Sequence, residues 1–566
     1  MSFIRGIAFD KKAQWSLDES GDFFSTDWGY FVVLIPMMGG VVIGVIRYFF
    51  PETRRQGIAE VMAAVQAKGG IIRGRTAWGH ALISAITVGT GGSSGREGPI
   101  GYIGAAFGSS LARRFGFRPR DIKVLLGAGV AAGIAATFNA PLGGVLFAME
   151  LILPEFSTHA FIPVVIATVV AVTVGQIFLG DQPSFTIPEF DFVSPYELGF
   201  YLLLGIVCGV GGVLFIQALG HGRRAGDRLP IPYWAKPAIG GLVVGFIGLA
   251  VLEIASSTWF GGNGQYHVFG TGYATVNQIL QGDALATAVP LLLLLILAKP
   301  LASAFTIGSG GGGGVFSSSL YQGALFGALV GVFANAVMPA HLVAPPAAYA
   351  LVGMGAFYAS AGRATLTTIV LMTELTDGYT VVLPIMFAAV TADAISIGLS
   401  KFSVYTVRLE DAGIHFEHDR TQSPLDTVQV AQCMTTDVDT LPGSMHVADA
   451  FDQMTKQGHS GFPILDEDGG VIGVLTRADI TRLLGEGKGS ATIEDSISGL
   501  LFTAYPLDYL HKARDRIMEQ DIGRLLIVDP KDRRKLLGIL TRTDILRAEA
   551  ENDVEHSDMW TPKDER

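Results

Sequence analysis

Residues 87–108 read Thr-Val-Gly-Thr-Gly-Gly-Ser-Ser-Gly-Arg-Glu-Gly-Pro-Ile-Gly-Tyr-Ile-Gly-Ala-Ala-Phe-Gly, and residues 306–327 repeat the pattern without a gap. The second stretch is Thr-Ile-Gly-Ser-Gly-Gly-Gly-Gly-Gly-Val-Phe-Ser-Ser-Ser-Leu-Tyr-Gln-Gly-Ala-Leu-Phe-Gly, at an offset of 219 residues. A further match follows at an offset of 224, where residues 139–151 resemble residues 363–375. Glycine-rich composition alone could produce the first match but not the ordered second one. We infer that the chain contains a duplicated core.

Charged residues are distributed very unevenly along the 566-residue chain. Residues 1–407 carry 22 Lys or Arg and 21 Asp or Glu, whereas residues 408–566 carry 18 and 30. An average soluble protein is about 25 % charged, so the first part is too apolar for that class. Its recurring apolar runs are long enough to cross a bilayer. The net charge of −11 argues against a nucleic-acid partner bound through phosphates.

The sequence predicts an α-helical polytopic membrane protein followed by an acidic α/β domain. The expected segments are a short N-terminal segment (1–28), a membrane domain (29–407, with halves of about 29–220 and 236–407), a linker (408–428), two α/β units (429–486 and 487–552) and a charged tail (553–566). Basic residues cluster at 54–75, 113–123 and 223–228, whereas the connections 180–200 and 257–283 carry none. By the positive-inside rule, the basic clusters and the C-terminal domain face the cytoplasmic side of a cell membrane.

The stretch Gly95-Arg96-Glu97-Gly98-Pro99 combines the features of an anion site. Glycine lets the backbone approach a ligand closely, and proline favours the first turn of a helix. The free N–H groups and the positive dipole end of a helix N-terminus attract anions. The equivalent loop at residues 310–316 supplies a second N-terminus from the other half. Glu97 would compete with an anion for these donors and leave when protonated, and an acid inside a membrane is costly enough to indicate a function.

These residues also allow other interpretations. Glycines at this spacing pack helices closely, and Glu97 would then form a structural ion pair with Arg96. Residues 91–95 fit the hydrolase pattern G-x-S-x-G, but no strand precedes them and they lie in a membrane run, so we treat the match as accidental. A phosphate-binding loop is excluded because no Lys-Ser/Thr follows the glycines.

Over about residues 29–407 the chain resembles the CLC family of chloride channels and chloride/proton exchangers. The motifs that carry the resemblance are Gly-Arg-Glu-Gly-Pro (95–99), Phe-Asn-Ala-Pro-Leu (138–142), Gly-Gly-Val-Phe (313–316), Glu-Leu-Thr-Asp (374–377) and Tyr405. The resemblance implies an inverted repeat (the CLC fold), a homodimer and one anion path per subunit. It further implies that Glu97 gates the path. The implied anion-binding residues are Gly95, Arg96, Gly98, Gly314, Val315, Phe316 and Tyr405.

Departures from the family pattern bear on function. Gln56 stands where the family usually has a serine that contacts the central anion, so it is an anion-binding candidate that leaves selectivity open. Leu151 occupies the position of the inner proton-transfer glutamate of many exchangers. A leucine cannot carry a proton, which favours a passive channel, although some exchangers lack this glutamate. Glu150 points about 100° away if helical and is expected to be structural, like Glu374. No counterpart of the family's first long membrane helix is evident before Gly29. We expect that either this helix has been lost or the start codon has been placed too late.

The C-terminal repeat resembles a pair of CBS domains. The pattern Gly-h-x-Thr-x-x-Asp, where h is apolar, occurs at residues 473–479 and 538–544, at an offset of 65. In that family the Thr donates to phosphate and the Asp accepts from ribose hydroxyls. The resemblance therefore implies an adenine nucleotide (AMP, ADP or ATP) at Thr476, Asp479, Thr541 and Asp544. The alternative is that these residues cap helices without a ligand. No other cofactor and no metal site is expected.

The predicted function is chloride transport through a glutamate-gated path in the bilayer, regulated by the CBS pair. A chloride/proton antiporter is the alternative within the family. A membrane-anchored enzyme that uses the CBS pair as a sensor is disfavoured, because the soluble part shows neither a metal-ligand cluster nor a nucleophile–base pair. A CBS-regulated cation transporter would need several acids along its pore, whereas the candidate path shows glycine-rich donors and one glutamate.

Overall fold

A computed structural model describes residues 2–9, 28–54, 57–67, 69–153, 158–180, 185, 187–188, 190, 192–256, 265–282, 288–376, 379–410, 428–497, 501–520 and 522–548. It divides into two compact units, Met1–Phe416 and Glu417–Arg566. The first unit is built from helices, and the second combines helices with two small sheets.

The described residues of the first unit form a succession of helices. They are α1 (Ser2–Ala8), α2 (Leu34–Phe49), α3 (Ile58–Ala67), α4 (Gly74–Gly89), α5 (Glu97–Arg114), α6 (Pro119–Phe138), α7 (Pro141–Phe147), α8 (Thr158–Leu179), α9 (Glu197–Arg228), α10 (Lys236–Ala255), α11 (Tyr273–Leu280), α12 (Val289–Gly308), α13 (Phe316–Val337), α14 (Pro346–Gly362), α15 (Thr365–Thr376), α16 (Val382–Leu399) and α17 (Thr406–Glu410). Short 3₁₀ turns lie at Gly29–Val33 and Pro51–Arg54, and α7 continues into a π-helical turn at Ala148–Ile152.

Eight of the described helices are long and apolar enough to cross a membrane. They are α2 with its preceding turn, α6, α8, α9, α10, α12, α13 and α16. Helix α8 is apolar along its length and carries no Lys, Arg, Asp or Glu, yet most of its surface is exposed. A helix that is apolar all round and unburied is suited to contact with lipid.

Equivalent packing in the two halves confirms the duplicated core. Helices α5 and α6 cross at Gly104, where a Cβ would lie 2.0 Å from the carbonyl oxygen of Gly129. Helices α13 and α14 cross in the same way at Gly323, where a Cβ would lie 2.2 Å from the carbonyl oxygen of Gly353. Small residues allow such close helix contacts inside a membrane. The repeat therefore preserves the contact and not only the sequence.

The ends of α6 and α14 show the same correspondence. Asn139 and Arg363 are the non-glycine residues of the described chain with positive φ, at 54° and 58°. Each ends its helix in the left-handed conformation, and they are equivalent positions of the repeat. A left-handed residue is a common way to terminate a helix, but it is strained for a side chain other than glycine. Two equivalent strained caps are further evidence of one duplicated unit.

The first unit continues beyond the expected start of the linker at residue 408. Helix α17 runs to Glu410, and Leu409 is buried in the same core as Val404 and Tyr405. The sequence did not predict this packing, because residues after 407 are mostly polar and only one side of the short helix is apolar. Residues 411–427 of the expected linker and the tail 553–566 lie outside the described residues.

The second unit contains two three-stranded sheets of the same topology. Their strands are β1 (Leu441–Pro442), β2 (Gly461–Leu465), β3 (Val471–Thr476), β4 (Thr503–Ala504), β5 (Arg524–Val528) and β6 (Leu536–Thr541). In each sheet the middle strand pairs parallel with the first and antiparallel with the third. Ile464 pairs with Gly473, and Ile527 pairs with the equivalent Gly538. Helices lie at Val430–Cys433, Val447–Gln457, Arg477–Gly485, Ile493–Ser496 and Leu510–Glu519.

The two α/β units exchange short segments. Val430 packs into the core of the second sheet, and Thr435 exchanges two backbone hydrogen bonds of 2.9 Å with Ile539. Conversely, Ile493 is buried in the core of the first sheet. The sequence motifs place a boundary between residues 486 and 487. In the structure, however, the segment around 430–435 packs on the second sheet and the segment around 493–497 packs on the first. Burial of apolar side chains decides this exchange, and the motif spacing carries no information about it.

Candidate anion site

The two glycine-rich loops bind each other directly. The backbone N–H of Gly95 donates to the carbonyl oxygen of Gly314 at 2.8 Å, and the N–H of Gly314 donates back to Gly95 at 2.7 Å. A Cβ on Gly98 would lie 3.0 Å from the Cα of Gly314, so the loops approach too closely for larger residues. The glycines therefore pack the two loops closely, which is one of the alternatives raised by the sequence. The same loops also carry the features of a candidate anion site.

Two threonines fix the loops in place. Thr306 Oγ1 accepts a 3.0 Å hydrogen bond from the N–H of Ser93, and Thr87 Oγ1 accepts a 2.8 Å bond from the N–H of Gly312. Each bond runs from one half to the other, and the two bonds are equivalent under the repeat. Buried backbone groups that lack helical partners are thus satisfied by the opposite half.

The N-termini of α5 and α13 follow directly after the paired glycines. Helix α5 begins at Glu97 and α13 at Phe316. Neither N-cap residue, Arg96 or Val315, caps its helix with a side-chain hydrogen bond. The first-turn amides of both helices are therefore donors that suit an anion, and both dipoles favour negative charge at the same place.

Glu97 is the carboxylate at this junction. It is 1 % exposed, and its Oε1 accepts a 2.5 Å hydrogen bond from the hydroxyl of Tyr273, the first residue of α11. The guanidinium carbon of Arg96 lies 5.7 Å from the centre of the Tyr273 ring. The carboxylate thus lies at the helix N-termini, in the place where their dipoles favour negative charge.

A cavity adjoins Glu97 and brings together most of the residues singled out in the sequence. Its predicted members are Glu97, Gly98, Gly314, Val315, Phe316 and Tyr405. Arg408 of α17 also lines it, as do apolar residues of α3, α6 and α7. Among the described residues, Gly95 and Arg96 lie outside the lining, and Gln56 lies outside the described residues. The lining combines backbone donors, one carboxylate, one phenol and one guanidinium.

Aromatic contacts hold two of the lining residues. The ring centre of Phe316 lies 5.0 Å from that of Phe138 and 4.4 Å from that of Tyr358. The hydroxyl oxygens of Tyr358 and Tyr405 are 3.2 Å apart. Tyr358 therefore fixes the Tyr405 hydroxyl, a role that sequence reasoning missed because Tyr358 sits in a uniformly apolar and buried helix.

Leu151 and Glu150 occupy different environments. Leu151 is 2 % exposed and belongs to the hydrophobic core. Glu150 accepts hydrogen bonds from the N–H groups of Leu366 (3.1 Å) and Thr367 (2.7 Å) at the start of α15. Its carboxylate thus caps a helix of the other half, as expected for a structural acid.

Glu374 makes the reciprocal contact. It accepts from the N–H groups of Leu142 (2.9 Å) and Gly143 (2.6 Å) at the start of α7. Glu150 and Glu374 are equivalent positions of the repeat, and so are the pairs of amides that they cap. Each half therefore supplies a carboxylate that caps the N-terminal amides of a helix in the other half.

In the second unit, the Thr and Asp of each Gly-h-x-Thr-x-x-Asp pattern contact each other. Thr476 Oγ1 donates to Asp479 Oδ2 at 2.6 Å, and Thr541 Oγ1 donates to Asp544 Oδ2 at 2.7 Å. The N–H of each Asp donates back to its Thr. These are helix caps, the alternative raised above, and all four side chains remain partly exposed and accessible to a ligand. Among the described residues no group of three or more His, Cys, Asp or Glu could hold a metal ion.

Comparison with known proteins matches both parts of the chain. The family model "Voltage gated chloride channel" matches residues 38–397, and the CBS domain model matches residues 430–486 and 501–551. A putative chloride channel protein ClcB-like from Ralstonia nicotianae is 33 % identical over 379 residues, which is 66 % of this chain and 84 % of that protein. An H(+)/Cl(-) exchange transporter ClcA from Citrobacter koseri is 30 % identical over 407 residues, which is 68 % of this chain and 81 % of that protein.

Solved structures show the same fold. A slow cyanobacterial Cl-/H+ antiporter superposes with a TM-score of 0.59 at 24 % identity, over 67 % of this chain and 86 % of that one. A eukaryotic CLC transporter superposes with a TM-score of 0.57 at 20 % identity, over 90 % of this chain and 89 % of that one. The matched proteins are named as channels and transporters, which supports the predicted transport protein over a membrane-anchored enzyme. With apolar helices, paired glycine loops and a C-terminal pair of CBS domains, the chain is a multi-pass membrane protein that belongs to the CLC family of voltage gated chloride channels.

Proposed function

We propose that this chain moves chloride across a bilayer through the cavity beside Glu97, and that Glu97 is its gate. The observation that carries the proposal is the position of the Glu97 carboxylate, buried at the joint N-termini of α5 and α13 and held by Tyr273. A group in this position blocks an anion by taking its donors. A buried carboxylate that gains a proton no longer competes for them.

The donors on either side of the gate have distinct roles in this proposal. The backbone N–H groups of Arg96, Gly98, Val315 and Phe316 bind the anion at the helix N-termini. Gly95 and Gly314, whose N–H groups bond each other, hold the two helix starts together. Tyr405 offers a hydroxyl to the anion further along the cavity, with Tyr358 fixing its orientation. Gln56, the other anion-binding candidate, is proposed to donate its side-chain N–H to the anion. Arg408 adds a positive charge that raises the local concentration of anions.

A passive channel is the favoured mode of transport. Leu151 is an apolar residue of the core at the position where many exchangers of the family carry a proton. Glu150, its acidic neighbour, is engaged by backbone amides of α15 and by the hydroxyl of Thr367 at 2.6 Å. A chloride/proton antiporter is the second candidate, because relatives about 30 % identical are named as exchange transporters.

The second unit is proposed to regulate the pathway from the cytoplasmic side of a cell membrane. Thr476, Asp479, Thr541 and Asp544 would hold an adenine nucleotide, because their polar side chains lie at accessible first turns of helices. A homodimer with one path per subunit is the proposed assembly, since that arrangement is implied by the family.

Chloride efflux from reconstituted liposomes tests the gate. The wild type is compared with Glu97→Gln, which mimics the protonated side chain, and with Glu253→Gln, an exposed position at the end of α10. We expect acid to accelerate efflux in the wild type and in the control. Glu97→Gln should be fast at every pH. Acid dependence that survives in Glu97→Gln would overturn the assignment of Glu97 as the gate.

A further inference from the structure

Ser317, the second residue of α13, carries a hydroxyl that the fold does not use. The residue is fully buried, and its Oγ has no hydrogen-bond partner among the described residues. Its neighbours differ. Ser318 Oγ lies 3.1 Å from Ser303 Oγ, and Ser319 Oγ donates to the carbonyl oxygen of Val315 at 2.9 Å. A buried hydroxyl without a partner is unfavourable, so its presence here calls for an explanation.

The Ser317 hydroxyl points into the space that holds the gate. A Cβ built on Gly95 would lie 2.2 Å from Glu97 Oε2 and 2.4 Å from Ser317 Oγ. Both oxygens therefore crowd the same point, which is open only because residue 95 has no side chain. Glu97 Oε1, the other carboxylate oxygen, takes the Tyr273 hydroxyl. Hydroxyls from the second half thus flank both oxygens of a carboxylate from the first half.

We propose that Ser317 is a side-chain ligand of the anion that occupies this space when the Glu97 carboxylate leaves. The inference rests on the proposed function and deepens it, because it adds a specific hydroxyl donor to the backbone amides of the site. A serine hydroxyl has one O–H and rotates freely to suit its acceptor. With Glu97 in place the hydroxyl has no hydrogen-bond partner among the described residues, and it donates to chloride when chloride replaces the carboxylate. Hydrogen bonds to a charged acceptor are the stronger kind.

Chloride binding measured by isothermal titration calorimetry tests this assignment. The purified full chain carries Glu97→Ala, which removes the competing carboxylate, and is compared with the same chain also carrying Ser317→Ala. The matched control adds Ser319→Ala instead, which removes a buried hydroxyl already bonded within its own helix. We expect Ser317→Ala to weaken chloride binding about tenfold, as for loss of one hydrogen bond to a charged group, and Ser319→Ala to leave it unchanged. A thermal melt of each variant confirms folding.

The outcomes separate the two proposals. Equal chloride affinity with and without the Ser317 hydroxyl would overturn the role of Ser317 and leave the gate intact. Equal loss in the Ser317→Ala and Ser319→Ala chains would also overturn it, because the effect would then be one of packing. Absence of chloride binding in the Glu97→Ala chain itself would overturn the proposed function, and the role of Ser317 with it.

Discussion

Gly95 and Gly314 exchange both of their backbone hydrogen bonds, at 2.8 and 2.7 Å, and each is the other's counterpart in the internal repeat. Two counterpart residues that pair with each other must lie on either side of the pseudo-twofold axis that relates the halves. The N-termini of α5 and α13 start beside this axis, so one pair of hydrogen bonds sets where both dipoles meet. The candidate anion site is thus a consequence of the duplication.

Adding a methyl group at this axis should damage the site. A Cβ on Gly314 would lie 2.8 Å from the backbone nitrogen of Gly98, which cannot move without moving α5. We expect Gly314→Ala to lower the stability by about 1–3 kcal/mol and to reduce chloride efflux at least tenfold. Gly398→Ala is the control, because a Cβ there meets nothing within 4 Å. Wild-type melting and efflux for Gly314→Ala would contradict the close approach.

Removing the Tyr273 hydroxyl should loosen the gate. Tyr273→Phe keeps the ring, whose centre lies 4.7 Å from that of Phe185, but loses the 2.5 Å hydrogen bond to Glu97. A hydrogen bond to a carboxylate contributes about 1.5–3 kcal/mol, so its loss favours departure of the carboxylate. We expect chloride efflux at neutral pH to rise severalfold. The same substitution in a Glu97→Gln background should have little effect, and an equal rise there would show that Tyr273 acts elsewhere.

The reciprocal caps should be equivalent in energy. Glu150 and Glu374 each accept two backbone N–H groups at the start of a helix of the other half. We expect Glu150→Ala and Glu374→Ala to lower the melting temperature by similar amounts, corresponding to about 0.5–2 kcal/mol for the loss of a helix N-terminal cap. Neither should introduce or abolish proton movement. A loss of proton coupling confined to Glu150→Ala would identify Glu150 as a proton carrier and contradict its structural role.

A nucleotide site in the second unit should be separable from helix capping. We expect millimolar ATP to raise the melting temperature of the full chain, and Asp544→Ala to abolish the rise. Asp495→Ala is a matched control, because Thr492 and Asp495 form the same kind of cap, with a 2.6 Å bond between the side chains, outside the Gly-h-x-Thr-x-x-Asp patterns. If ATP still raised the melting temperature of Asp544→Ala, the Gly-h-x-Thr-x-x-Asp pattern would serve only to cap helices.

The sequence was sufficient for the parts of the site that lie in local motifs. Short local motifs mark both the repeat and the N-termini of the two helices. They were sufficient to predict that the cavity beside Glu97 is lined by Gly98, Gly314, Val315 and Phe316. These residues line one cavity because they lie at helix starts and because glycine allows the two loops to approach each other closely. The sequence likewise predicted the duplicated core.

The remaining partners depend on packing between distant segments. Tyr273 meets Glu97 across 176 residues, and Tyr358 meets Tyr405 across 47. No local pattern marks either tyrosine, since each sits in an apolar stretch where an aromatic core residue is expected. The exchange of segments between the CBS domains is of the same kind, because burial of Val430 and Ile493 decides it and not their neighbours in sequence.

Simultaneous recording of chloride efflux and external pH from liposomes, with and without a potassium ionophore, tests the central claim most directly. The account predicts that chloride leaves rapidly when the ionophore carries the compensating charge, and that no proton moves with it. Proton movement in fixed ratio with chloride, sustained against a proton gradient, would contradict the passive channel and establish an exchanger without the inner glutamate. No chloride movement in either condition would contradict the anion pathway itself.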